Sequence, residues 1–145
     1  MRFQISDGKL FDIPTEWWER TGMSDFVPQA SSYTPESSGP FQVVPISDVA
    51  PIRRTPGLAG FSSDGFAEDR MRSIFGAFLH DTPLPPVEVH ECSSGSFRYK
   101  LHHGFHRFYG SVAAGFSELP IVVVCDAKVF LEAEDAEAEG MKKPK

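Results

Sequence analysis

Between Ser96 and Gly115 the chain gathers Arg98, Lys100, His102, His103, His106 and Arg107 around one glycine, Gly104. The alternation over Phe97–Leu101 predicts a strand, with Phe97, Tyr99 and Leu101 on one face and Arg98, Lys100 and His102 on the other. A helix is predicted from Gly104 to about Ala114, with Gly115 as its stop. Such a strand-to-helix junction points backbone N–H groups, a guanidinium and an imidazole at one spot, which is what a phosphate or another anion requires. Gly104 permits the tight turn. The helix start carries partial positive charge, and Arg107 offers a planar fork that matches phosphate oxygens. In the plainer reading Gly104 only makes a turn, and Arg107 pairs with Glu88 or Glu91.

Other chemistries fit less well. His90, Cys92, His102, His103 and His106 invite a metal reading. However, neighbours in a strand face opposite ways, so at most two of the last three converge, and no metal site is expected. Cys92 and Cys125 lack Cys-x-x-Cys spacing and read as buried thiols in a reducing compartment. The chain has neither a nucleophile elbow nor a Gly-x4-Gly-Lys-Ser/Thr phosphate loop. Arg53 and Arg54, in a Pro/Gly-rich connection over residues 50–65, could close over a ligand or simply be solvated.

Several elements must hold that junction. Phe3, Ile5, Leu10 and Phe11 around Asp7-Gly8 predict a β-hairpin. Pro14 to Arg20 predicts a short helix that stops at Gly22. In that helix one of Trp17 and Trp18 is expected in the core, and the other is expected to serve as a lid or contact surface. Residues 29–40 read as a loop, and Phe41 to Ile46 as a strand ending at Pro45. Phe66 to Leu79 is the clearest helix. Ala67, Met71, Ile74, Phe75, Phe78 and Leu79 form one apolar stripe, Asp64 is the expected N-cap, and Glu68 suits the positive helix end. Val87–Glu91 is a strand, and Leu119–Val124 reads as a strand buried on both faces. The fold class is therefore α+β: a small mixed sheet flanked by helices, preceded by the hairpin and short helix. The expected divisions are 1–40, 41–131 and a charged, disordered tail over 132–145.

The chain has 145 residues and a net charge of −6. That charge divides as −3 over residues 1–40, −1 over 41–131 and −2 over 132–145. The near-neutral middle segment can hold a local cationic pocket, but the acidic balance disfavours binding along a duplex. The apolar runs are too short for a membrane span, and the start lacks a secretory h-region, so a cytoplasmic protein is expected.

From about Val43 to Val124 the order of elements resembles the ParB/sulfiredoxin superfamily. The residues that carry the resemblance are Pro45-Ile46-Ser47-Asp48-Val49, Arg53-Arg54, Ser73-Ile74, Gly104-Phe105-His106-Arg107, Ala113-Ala114-Gly115 and Pro120-Ile121-Val122-Val123. In such relatives the glycine junction holds the phosphates of a nucleotide: CTP in ParB partition proteins, and ATP in sulfiredoxins and related free-serine kinases. The resemblance implies a nucleoside triphosphate with Mg²⁺ here, held by Gly104, His106, Arg107, His103 and Arg54. His103 stands where several members have an acid. Phe105 occupies the slot of the sulfiredoxin cysteine, so sulfinate reduction is not expected; partition proteins continue into a helix-turn-helix domain where this sequence runs into an acidic tail, so centromere-type DNA binding is not expected either.

These readings converge on a stand-alone nucleotide-binding domain, with the first forty residues as a lid or protein-partner surface through Trp17-Trp18. One alternative is an ATP-dependent phosphotransferase acting on a small-molecule or side-chain hydroxyl. It would take its carboxylate base from Glu68, Asp69, Glu88 or Glu91. A third reading is a regulatory or DNA-associated module with a vestigial pocket.

Overall fold

The computed structural model describes residues 1–5, 7–36, 39–52, 62, 65–92 and 95–124. Arg53, Arg54, Asp64, Cys125 and the tail over 132–145 lie outside the described residues.

The chain opens with the expected hairpin. Strands β1 (Arg2–Gln4) and β2 (Leu10–Asp12) pair antiparallel, and the Lys9 N–H donates to Asp7 Oδ1 at 2.9 Å inside the turn. Helix α1 (Thr15–Thr21) ends on Gly22, which is left-handed at φ +90°. Both of its tryptophans are buried. The expectation that one indole would form a contact surface is thereby corrected. Trp18 meets Phe75 edge-on at 5.2 Å and lies 5.5 Å from Phe3, so it fills the gap between hairpin and helix layer. Trp17 is buried beside it in the same core.

Strand β3 (Gln42–Pro45) leads through a 3-10 turn at Ile46–Asp48 into the short strand β4 (Val49–Ala50). Helix α2 (Glu68–His80), strands β5 (Val87–Glu91) and β6 (Tyr99–His103), helix α3 (Phe105–Ala114) and strand β7 (Glu118–Val123) follow. The five later strands form one mixed sheet in the order β3-β7-β5-β6-β4. β7 lies inside it, antiparallel to β3 and parallel to β5, and Leu119, Pro120 and Ile121 are buried as a two-sided strand requires. The fold is α+β.

Helix α2 begins later than its periodicity predicts, with Ala67 at the N-cap, a residue whose own side chain cannot cap. Its stripe holds, since Met71, Ile74, Phe75 and Phe78 are all buried. α3 packs across this stripe at Gly110, where a Cβ would lie 3.2 Å from the Ile74 Cγ2 methyl, so the two helices meet closely. Phe11 from the hairpin reaches Tyr109 of α3 at 4.9 Å and Phe66 at 5.9 Å. The N-terminal residues thus share one hydrophobic core with the sheet and helices. Among the described residues no helix is long and apolar enough to cross a membrane.

Candidate functional site

β6 runs two residues later than its alternation predicts, and its end is irregular. Val89 of β5 pairs with Leu101, but Glu88 pairs with His103, so the register shifts and His102 is the extra residue on β6. A bulge of this kind re-aims side chains. His102, His103 and His106 are all among the residues that line one cavity. Among the described residues no group of three or more His, Cys, Asp or Glu is placed to hold a metal ion.

That cavity, about 490 Å³, lies where the starts of α2 and α3 and the end of β6 converge. One wall is apolar, made by Ile52, Ile74, Leu84, Pro85, Leu101 and Phe105. The other carries Asp69, Arg70 and Ser73 from α2 and the Gly104–Arg107 turn. Gly104 is the N-cap of α3 at φ +113°, a conformation that side chains resist, and no side chain caps the helix. A Cβ at Gly104 would lie 3.0 Å from Arg107 Nη2 and 3.2 Å from both methyls of Val87. The guanidinium of Arg107 therefore folds back over the helix start in the space that the missing side chain leaves.

Among the described residues, two guanidiniums and one carboxylate line the cavity, and neither Arg70 nor Arg107 is in an ion pair. The pairing of Arg107 with Glu88 or Glu91 does not form. Glu68 is instead engaged with Arg72 one turn along α2 at 3.2 Å. Glu68, Glu88 and Glu91 are not on the cavity wall, and among the described residues the carboxylate there is Asp69.

His106 is 4% exposed, and its Nε2 accepts the backbone N–H of Ala67 at 2.9 Å. The ring therefore ties the two helix starts together, and its place in the site is on the wall. Tyr33 supports the opposite side. It donates its phenol O–H to the Pro85 carbonyl at 2.6 Å. Burial pushes this phenol far above the usual tyrosine range, and the nearby Arg107 cation opposes that rise in smaller measure. Backbone bonds from Glu36 N–H to Leu84 O (2.7 Å) and from Leu84 N–H to Thr34 O (3.0 Å) fix the same wall. Tyr109 donates to Ile52 O at 3.2 Å and anchors the rim where the 53–61 connection departs.

The junction residues Gly104, His103, His106 and Arg107 come together, and Arg54 lies outside the described residues. Sequence reasoning left Arg70, His102, Tyr33 and the Leu84-Pro85 wall out of the site. Arg70 and Ser73 share one face of α2 beside its apolar stripe, and that spacing was a usable signal for them.

An α+β sheet with a cationic cavity at a strand-to-helix junction is thus the class of structure in hand. A comparison with solved structures finds similarity to the C-terminally truncated chromosome-partitioning protein ParB from Caulobacter crescentus complexed with CTP-gamma-S, at 20% identity and a TM-score of 0.45. The alignment covers 64% of this chain and 49% of that one, so the chain spans about half the length of the protein it matches. At this identity the likeness is one of fold. No family model matches the chain, and no curated protein matches it.

Proposed function

We propose that this protein binds a nucleoside triphosphate, with its phosphates at the start of α3. The observation that carries the reading is the pair Arg70 and Arg107: two guanidiniums outside any ion pair among the described residues, set on the wall of one cavity beside a helix start whose N-cap is a glycine. Arg70 is exposed and Arg107 half-buried, so both can offer charge-assisted hydrogen bonds to a bound polyanion. The helix start adds partial positive charge in the same direction. Arg107 and His103 meet the phosphates beside the Gly104 turn, and Arg54, two residues past Ile52 in the sequence, is a further candidate cation. His106 serves as the post that holds the two helix starts at this spacing. Asp69 is the lining carboxylate able to share the Mg²⁺ that accompanies a triphosphate. The apolar wall offers the base or ribose a surface from which water is excluded.

Isothermal titration with ATP, CTP and GTP in the presence of Mg²⁺ tests the reading. Millimolar or tighter binding of at least one nucleotide is expected, weakened about tenfold or more in Arg107→Ala. If none of the three binds, or the variant binds as well as the parent, the reading fails.

A further inference from the structure

At the mouth of the cavity two imidazoles stand in a defined relation that phosphate binding does not use. His90 of β5 and His102 of β6 approach Nε2 to Nδ1 at 2.8 Å, with ring centroids 4.3 Å apart and planes 67° apart. On its other side His90 places Nδ1 3.3 Å from the carbonyl oxygen of Val124, just past β7. A carbonyl only accepts, so Nδ1 of His90 carries its proton. With both rings neutral, Nε2 of His90 is then an acceptor, and Nδ1–H of His102 donates to it. The chain of bonds leaves the lone pair of His102 on its Nε2. His102 lines the cavity and His90 does not. The register shift in β6 makes this possible, because it brings His102 onto the same wall as His103 and the Gly104 turn.

We propose that His102 is the proton acceptor of this site and that His90 is its positioning residue. The inference rests on the nucleotide reading above. His102 Nε2 takes the proton of an oxygen nucleophile, water or an alcohol, that attacks the terminal phosphate of the bound nucleotide. The O–H bond breaks and its proton moves to Nε2. The oxygen forms a bond to the γ-phosphorus, and the bond from that phosphorus to the β–γ bridging oxygen breaks, its electron pair leaving with the nucleoside diphosphate. The Nδ1–H of the resulting imidazolium stays bonded to His90, a hydrogen bond that favours the charged ring. His90 is fixed in turn by the Val124 carbonyl, in the way that a third group orients a catalytic base. Glu68, Glu88 and Glu91 lie off the cavity wall, and Asp69 is occupied with Mg²⁺ in the reading above. Among the described lining residues, His102 is one whose lone pair is oriented by a hydrogen bond of its own ring.

The test measures nucleotide affinity and phosphate release in parallel on the whole chain, with Mg-ATP and Mg-CTP, and with water or excess glycerol as the acceptor. His102→Gln is expected to lower turnover about 100-fold or more while leaving nucleotide affinity within about threefold. His90→Ala is expected to lower kcat about tenfold with KM unchanged, and His90→Gln to restore part of it, since a carboxamide can donate to Val124 and accept from His102. Nitrogen NMR of the imidazoles gives a readout that needs no nucleotide: His102 is expected as the Nδ1–H tautomer in the parent and to lose that preference in His90→Ala. If the parent binds nucleotide without turnover, if turnover is untouched in His102→Gln, or if His102 is the Nε2–H tautomer, this inference is overturned and the binding reading stands. If no nucleotide binds, both are overturned.

Discussion

His106 of α3 accepts the backbone N–H of Ala67 at 2.9 Å and so caps the start of a helix to which it does not belong. In a capping box the acceptor is a Glu or Gln within the same helix. Here the acceptor is an imidazole 39 residues away in the chain. A backbone N–H can only donate, so Nε2 of this ring holds a lone pair. One bond thereby sets the distance between the α2 side of the cavity, with Asp69, Arg70 and Ser73, and the α3 side, with Gly104 and Arg107.

Removing that ring has a defined consequence. His106→Ala leaves the Ala67 N–H without its acceptor and opens a void beside Phe66 and Phe105, whose rings lie 6.0 Å and 5.3 Å from the imidazole. The loss is expected at about 1–3 kcal/mol for the stranded donor alone, with the void adding to it. Urea unfolding measures it. A change below about 0.5 kcal/mol would mean that the cap carries no weight.

Arg70 and Arg107 are expected to behave in the opposite way. Neither is in an ion pair among the described residues, so Arg70→Ala and Arg107→Ala should leave fold stability within about 0.5 kcal/mol. Each loses a charge-assisted contact to phosphate, worth about 1.5–3 kcal/mol, and nucleotide affinity should drop about tenfold to a hundredfold. Unfolding curves and titrations on the same preparations separate the two effects. Large stability losses in either variant would show that these cations serve the fold.

Gly104→Ala tests the junction itself. The new methyl would sit 3.2 Å from the Val87 methyls and 3.0 Å from Arg107 Nη2, at a φ of +113° that an L-residue resists. A cost of about 1–2 kcal/mol is expected from the backbone conformation, before any displacement of Arg107 is added. Affinity for nucleotide should fall with it, because the guanidinium must give way. A variant of parental stability and affinity would show that the close approach at this turn is dispensable.

How far the site was legible depends on whether its signals are local. Gly104 and Gly115 bracket α3 at the expected positions, and both are left-handed caps. The α2 stripe reads off its spacing, because a run of apolar residues at helical period has one way to be buried. The start of α2 does not, since its acceptor comes from another helix and no neighbouring residue announces it. The shift of β6 has a similar origin. Arg98 N–H donates to Asp48 O, far away in the chain, and the Arg98 carbonyl accepts from Cys92 N–H across the turn, so pairing is set by these partners rather than by the alternation that begins at Phe97. The extra residue at His102 interrupts the alternation at the end of the strand, and nothing in the local sequence announces it. Trp17 and Trp18 failed for a related reason: adjacent side chains diverge on a helix, but the hairpin supplies a second buried surface for them to diverge into.

Tyr33 links the cavity wall to alkaline stability. Its phenol is buried, donates to the Pro85 carbonyl at 2.6 Å, and titrates far above the ordinary value of 10.0, chiefly because burial penalises the phenolate. Below about pH 10 both folded and unfolded chains keep this proton, and the group contributes its full stability. As pH rises past the unfolded value, the unfolded chain releases the proton and the folded one holds it. The unfolded state is then favoured, and stability declines until the folded phenol also ionises. Tyr33→Phe removes this dependence along with the hydrogen bond. The variant is expected to be about 0.5–1.5 kcal/mol less stable near neutral pH, and to lose less with alkali than the parent does. Urea unfolding of both proteins between about pH 8 and about pH 11 measures the difference, and Tyr99 and Tyr109 cancel because both proteins carry them. Parallel curves would remove Tyr33 as the source of the alkaline loss.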